Sequence, residues 1–411
     1  MTKASSGFTA ILIATVIAGV AGYLITFLVF RMIGPADYAV FAVFWASLYL
    51  LVGGLGGIQQ EITRATHPIE LGSRERASRA RTFAVLAALV VAALVVGTAP
   101  LWQASVFPDS GWALVLPLAV GAGSYVLVAT LSGSLYGVAQ WRSLALMIAA
   151  DGVLRLLFIV IGLLVTPDVV ALAWAAAVPF PLAIMVLWPI IRGTFVGLSD
   201  LDVGYGALTW NVARTVLASV SSAVLVSGFP LLLGLAGRDS DATLRGELIF
   251  TITLARAPLI VTVLSLQSVL LVRFRDHPAN WLRVFLMVQA FIVAAAVLVG
   301  IGGLFLGPAV FEFVGGSPIT LSGQFIAILV GSSAFVGGLY VSGSAVLARS
   351  QHLVYSAGWV TAAAVTIVVM LLNLDLQTRV ATALVVGPIA GLLVHLTWLV
   401  AASLRARRAT A

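Results

Sequence analysis

The chain has 411 residues, 61% of them hydrophobic and only 9% charged, whereas an ordinary water-soluble domain carries about 25% charged residues, so water is not its main solvent. The formal net charge of +7 does not point to nucleic acid, because the basic residues fall in short segments between apolar runs and no basic patch interleaves with exposed aromatics. With no cysteine and only four dispersed histidines (His67, His277, His352 and His395), a disulfide framework is excluded, and neither a metal site nor a cofactor finds support.

Apolar runs of about 20 residues, each long enough to cross about 30 Å of hydrocarbon, recur along the chain. They predict an all-α polytopic membrane protein with twelve transmembrane helices. The spans fall at residues 8–30, 38–62, 82–103, 111–137, 144–166, 168–191, 205–235, 244–272, 282–305, 318–346, 354–374 and 378–402. The first run, Phe8 to Phe30, exceeds the apolar core of a signal peptide and is expected to stay as a helix. It leads through Arg31-Met32-Ile33-Gly34-Pro35-Ala36-Asp37-Tyr38, read as a tight polar turn, into a second span. That span holds Gly53-Gly54-Leu55-Gly56-Gly57 and ends in Gln59, Gln60, Glu61 and Arg64. The glycines follow no strand and precede no Lys-Ser/Thr pair, so they are not a phosphate-binding loop. Close helix packing or bending explains them better. Between the fifth and sixth spans, Pro167 ends one helix and Asp168 is placed to cap the next.

Lysine and arginine set the sidedness. With the N-terminus in the cytoplasm, fifteen of them fall on the inner side and three or four on the outer, so both termini are expected inside. Internal similarity divides the chain in two. Ser132-Gly133-Ser134 near the end of the fourth span matches Ser342-Gly343-Ser344 near the end of the tenth, 210 residues on, and Gln140 matches Gln351. Six helices per half is an even number, which predicts two parallel-repeat six-helix bundles, residues 1–199 and 200–411, around a central cavity. The boundary falls in the polar linker at residues 197–204.

Three arginines sit inside apolar spans: Arg155, Arg214 and Arg256. Each lies roughly 13–18 Å from its helix start, near mid-bilayer. A charge facing lipid there costs at least about 2.5–3.5 kcal/mol, so all three are candidates for a wet cavity that binds substrate, with Asn211 and Arg31 beside them. Each has a structural alternative. Asp151 stands one turn from Arg155 and allows an intrahelical pair, Trp210 stands one turn from Arg214, and Arg256 precedes Pro258. Gln59, Gln60, Glu61, Arg64, Asp151 and Gln267 are candidates for a gate or for ion coupling, to which Glu247 also belongs. For Glu61 and Arg64 the alternative is a simple i, i+3 surface pair.

The Gly34-Pro35-Ala36-Asp37-Tyr38 turn with its aromatic-rich continuation resembles the polysaccharide-type flippases of the multidrug/oligosaccharidyl-lipid/polysaccharide exporter superfamily, although Ala39 stands where that pattern usually has glycine. The resemblance implies a V-shaped pair of bundles in a bacterial-type inner membrane. It implies flipping of a polyprenyl-diphosphate-linked oligosaccharide from the inner to the outer leaflet by alternating access, with membrane lipids as surroundings. It also implies partner glycosyltransferases or a polymerase of the same pathway. Arginine suits a diphosphate because its planar fork bonds phosphate through two N–H groups. A multidrug-type cation antiporter of the same superfamily would favour acidic groups in the cavity. A membrane-bound glycosyltransferase or polymerase would need catalytic carboxylates on substantial outer loops, and the outer acids here lie in short turns.

Overall fold

A computed structural model describes residues 2–66, 78–195, 200–201, 203–237, 240–255, 270, 273–274, 280–316, 318–349 and 351–410. Arg256 and Gln267 lie outside the described residues. The helices are α1 (Thr2–Ala65), α2 (Ala80–Val106), α3 (Gly111–Gly137), α4 (Trp141–Val165), α5 (Val169–Ala177), α6 (Pro179–Phe195), α7 (Tyr205–Ser227) and α8 (Phe229–Ala236). There follow α9 (242–255), α10 (Trp281–Gly315), α11 (Gly323–Leu347), α12 (His352–Met370) and α13 (Leu376–Thr410). The two-residue strands β1 (Ser78–Arg79) and β2 (Asp200–Leu201) pair antiparallel, Ser78 opposite Leu201 and Arg79 opposite Asp200.

Among the described residues nine helices are long and apolar enough to cross a membrane, counting both limbs of α1 as one. Their outer surfaces are apolar. Leu101, Leu164, Phe305 and Leu353 expose 73–87% of their surface, an arrangement that water would penalise and lipid accepts. The protein is a multi-pass membrane protein.

The expected turn at 31–38 is narrower than the sequence suggests. Helical geometry runs through α1 on both sides of a single break at Gly34, with φ 80° and ψ 169°. That region of backbone space is open essentially to glycine alone. Pro35 follows, with no N–H to bond back across the break. Side chains start other helices, at Asp168 as anticipated and also at Ser322 and Asp375. The Asp168 carboxylate accepts from the amides of Val170 and Ala171 at 3.0 and 3.1 Å to open α5. Ser322 caps α11, and Asp375 caps α13 through the Thr378 amide at 2.9 Å. Bonds from Thr378 hold the Asp375 carboxyl below the usual carboxylate range.

Two compact units divide the chain, 1–231 and 232–411. In the first, α1 packs against α3, α4 and α7, and α2 packs against α3. In the second, α11 packs against α10 and α13, and α12 against α13. The first unit takes in α7, which the sequence plan gives to the second bundle, because α7 lies along α1 over most of its length. The repeated motif has a repeated geometry. Gln140 precedes α4 at φ −82° and ψ 61°, and Gln351 precedes α12 at φ −96° and ψ 68°. Ser134 bonds back to the Thr130 carbonyl as Ser344 does to that of Tyr340, at 3.1 and 3.0 Å. The helices that carry the motif, α3 and α11, are the most buried spans of their units, so each is the central stave of its own packing.

Replacing Gly34 by Ala should cost about 1–3 kcal/mol, because no L side chain is comfortable at its backbone angles. Gly19→Ala, in the same helix with open space at its Cβ position, should be neutral or slightly stabilising. Thermal unfolding of the two variants in detergent checks the difference; equal midpoints would remove Gly34 as the cause of the break.

Candidate functional site

The C-terminal part of α1 and most of α7 run antiparallel, with direct backbone contact at Gly57. A Cβ at Gly53 would sit 2.7 Å from that of Ala223, and one at Gly54 2.7 Å from Val220 Cγ2. One at Gly57 would sit 2.4 Å from the Val216 nitrogen and 2.6 Å from the Thr215 oxygen. Such contacts are closer than any real side chain makes, so the glycines are what allow the two backbones to meet. The expectation of close packing for this glycine run is met here, with α7 as the neighbour. The Thr215 hydroxyl fixes the register by donating to the Gly57 carbonyl at 2.9 Å.

One turn beyond Gly57, Glu61 is 4% exposed and accepts three donors. Arg64 reaches it with Nε at 2.9 Å and Nη2 at 2.6 Å, and Asn211 Nδ2 on α7 bonds its Oε1 at 2.9 Å. A buried carboxylate without such partners would cost several kcal/mol. The i, i+3 pair anticipated for Glu61 and Arg64 is therefore present, but it continues into a second helix. Glu61, Arg64, Asn211, Thr215 and Arg214 line an open cavity of about 340 Å³. Glu61 and Arg64 neutralise one another. Arg214 is exposed and makes no hydrogen bond or ion pair among the described residues, so it leaves the cavity with one net positive charge.

The other candidates separate from this cluster. Arg155 is 2% exposed and fully engaged. It bonds Asp151 Oδ1 at 2.6 Å and the Ala176 carbonyl, and its guanidinium lies 4.2 Å from the Phe180 ring centre and 5.8 Å from that of Tyr49. Those partners belong to α1, α4, α5 and α6, so Arg155 ties four helices together and is not among the groups lining the cavity. Arg31 is exposed beside the Gly34 break, 6.0 Å from the Phe27 ring centre. Gln60 is exposed, and Gln59 is half-buried with its carbonyl bonded by Thr63. Glu247 is buried in the second unit and holds the amide and hydroxyl of Thr320. Among the described residues no group of three histidine, cysteine or acidic side chains could hold a metal ion.

Thr215 and Gly57 escaped the sequence reading as site residues. The signal was present as helical spacing: residues 57, 61 and 64 share one face of α1, and 211, 214 and 215 share one face of α7.

This fold recurs among solved structures, two of which illustrate it. One is an inward-facing multidrug resistance MATE family transporter of the MOP superfamily, with TM-score 0.70 and 14% identity over 95% of this chain and 96% of that one. The other is the lipid II flippase MurJ, with TM-score 0.68 and 12% identity over 95% of this chain and 87% of that one. The chain shares the fold of these two proteins. No family model matches the chain. Uncharacterized proteins of Mycobacterium bovis and Mycobacterium tuberculosis are each 31% identical to it over 396 residues, 93% of this chain and 89% of each relative. The chain belongs to the family of these mycobacterial proteins.

The chain has no native cysteine, so Glu61→Cys with Asn211→Cys gives a background-free pair for a short bis-maleimide cross-linker. Adding Gly57→Ala should cut the yield several-fold by forcing α7 off α1, whereas Gly56→Ala, with open space at its Cβ position, should leave it unchanged. Equal yields would show that backbone contact at Gly57 does not seat the two helices.

Proposed function

We propose that the chain is a transporter that flips a polyprenyl-diphosphate-linked oligosaccharide from the inner to the outer leaflet by alternating access. The observation that carries this reading is the cavity at the α1–α7 seam, where Arg214 stands uncompensated next to the neutral Glu61–Arg64 pair. Such a site attracts an anion. A diphosphate offers several oxygens to the two guanidinium groups, and the volume of about 340 Å³ leaves room for it. A fold shared with a lipid II flippase gives further support.

In this mechanism α1 and α7 belong to different six-helix bundles, residues 1–199 and 200–411, with both termini cytoplasmic in a bacterial-type inner membrane. The seam is then the inner gate. The diphosphate enters at Arg214, and parting of the glycine face of α1 from α7 opens the path. The sugars and the polyprenyl tail need little recognition, since the diphosphate is the constant part of such lipids. Arg256 is the second-half candidate for the same substrate group. Enzymes that build or polymerise the oligosaccharide would act before and after it.

A multidrug-type antiporter is the second reading, and likeness to a MATE transporter favours it. A cation exporter needs an available carboxylate in its cavity. Glu61, the acidic group at this one, already holds three donors. The charge balance therefore favours an anionic substrate.

Reconstitution into liposomes with a fluorescent diphosphate-linked oligosaccharide lipid tests the reading by leaflet exchange. The wild-type protein should exchange the lipid. Arg214→Ala should slow exchange roughly ten- to a hundred-fold, as expected for losing one charge-assisted contact of about 1.5–3 kcal/mol, with insertion and thermal stability unchanged. Arg155→Ala should instead destabilise the protein by about 3–5 kcal/mol, because it strips a buried ion pair of its cation. Absence of exchange with every such lipid would defeat the flippase reading, and proton- or sodium-driven efflux of a cationic dye would establish the antiporter.

A further inference from the structure

His395 is fully buried in α13, far in sequence from any other histidine, and takes no part in the site described above. Both ring nitrogens are engaged. Nε2 lies 3.1 Å from the Tyr355 carbonyl oxygen, which can only accept, so Nε2 carries a hydrogen. Nδ1 lies 2.9 Å from Ser342 Oγ, which in turn lies 3.1 Å from the Leu339 carbonyl. The serine has one hydrogen for two acceptors. Turned toward Nδ1, it satisfies a neutral imidazole. Turned toward Leu339, it leaves Oγ free to accept from a protonated Nδ1–H. The same heavy-atom positions therefore serve both protonation states, and a single hydroxyl rotation separates them.

We propose that His395 and Ser342 form a proton-binding site in the core of the second unit. One proton from the aqueous phase adds to Nδ1, and the Ser342 hydrogen swings to the Leu339 carbonyl; no other bond changes. The surroundings hold the ring in place for this. A Cβ at Gly358 would fall 2.1 Å from Nε2, so the imidazole occupies space that only glycine vacates. The Tyr355 ring lies nearly parallel to it, 8° apart in plane, with centroids 6.1 Å apart.

Among the described residues of α11, α12 and α13, no fixed charge faces the ring. α11 contributes Ser342 and the Leu339 carbonyl and contains no acidic, lysine or arginine residue. α12 contributes Tyr355, the titratable group that faces the ring from that helix. On α13 itself Arg379 stands sixteen residues before and Arg405 ten after, roughly 24 and 15 Å along the axis. The duplicated motif sharpens the assignment. Ser132, the first-unit counterpart of Ser342, faces the Met147 sulfur at 3.8 Å, a group that does not titrate. Only the second copy of the motif has a basic partner.

The test is direct and independent of any transport assay. The full chain, labelled with 15N-histidine and reconstituted in liposomes, reports each imidazole nitrogen by solid-state NMR, and His395→Gln assigns its signals among the four histidines. The wild-type spectrum should show the Nε2–H neutral form at pH 8 and convert to the doubly protonated form as the pH falls to 5. Ser342→Ala should weaken proton binding roughly tenfold, since the charged form loses its acceptor at Nδ1. Ser332→Ala, which removes a similar intrahelical hydroxyl bond on the same helix, should not. If His395→Gln does not accumulate, the triple variant His67→Gln, His277→Gln, His352→Gln leaves His395 as the only histidine and yields the same titration. A His395 signal that stays neutral down to pH 5, or a Ser342→Ala variant that titrates like wild type, would overturn the proposal.

Discussion

The polar end of the first unit depends on one backbone approach. Gly57 lets α7 come close enough for the Thr215 hydroxyl to reach its carbonyl, and that seating carries Asn211 to Glu61 one turn away. The bonds across the seam include one neutral hydroxyl bond and one amide bond to a charged carboxylate. Such bonds are worth about 0.5–1.5 and 1.5–3 kcal/mol respectively. If the helices part, Glu61 keeps Arg64, so no bare charge is left behind. A contact built this way holds at rest and yields without a prohibitive cost.

Arg155 and Arg214 show how differently two helical arginines can be accommodated. Arg155 is surrounded by a carboxylate, a carbonyl and two aromatic faces from four helices, and its charge is consumed in packing. Arg214 faces a cavity where the nearby anion is already paired. The first contributes to architecture; the second has a charge to spare for a ligand.

Much of this was legible in the residues. Span lengths come from hydropathy, the cap at Asp168 follows from a local rule, and the match of Gln140 with Gln351 follows from the internal repeat. The pairs Asp151–Arg155 and Glu61–Arg64 follow from helical spacing, since residues three or four apart share a face. What the sequence could not supply was the partner across space. Asp151 marks Arg155 for a local pair, but no spacing rule brings Ala176 and Phe180 to its guanidinium. Nor does any spacing rule link Asn211 to Glu61, 150 residues away, or Ser342 to His395, 53 residues away. The histidines form no ligand pattern along the chain, and the serine that faces His395 stands out in the sequence only as half of a repeat.

The short β1–β2 ribbon has a mechanical meaning. Ser78 and Arg79 immediately precede α2, while Asp200 and Leu201 lie four residues ahead of α7. Backbone hydrogen bonds between them form a tether linking the entry of α7 to the root of α2. Displacement of α7 from α1 would therefore pull on α2, and α2 rests against the central helix α3. The ribbon thus gives motion at the seam a second route into the first unit, one that bypasses the glycine contact.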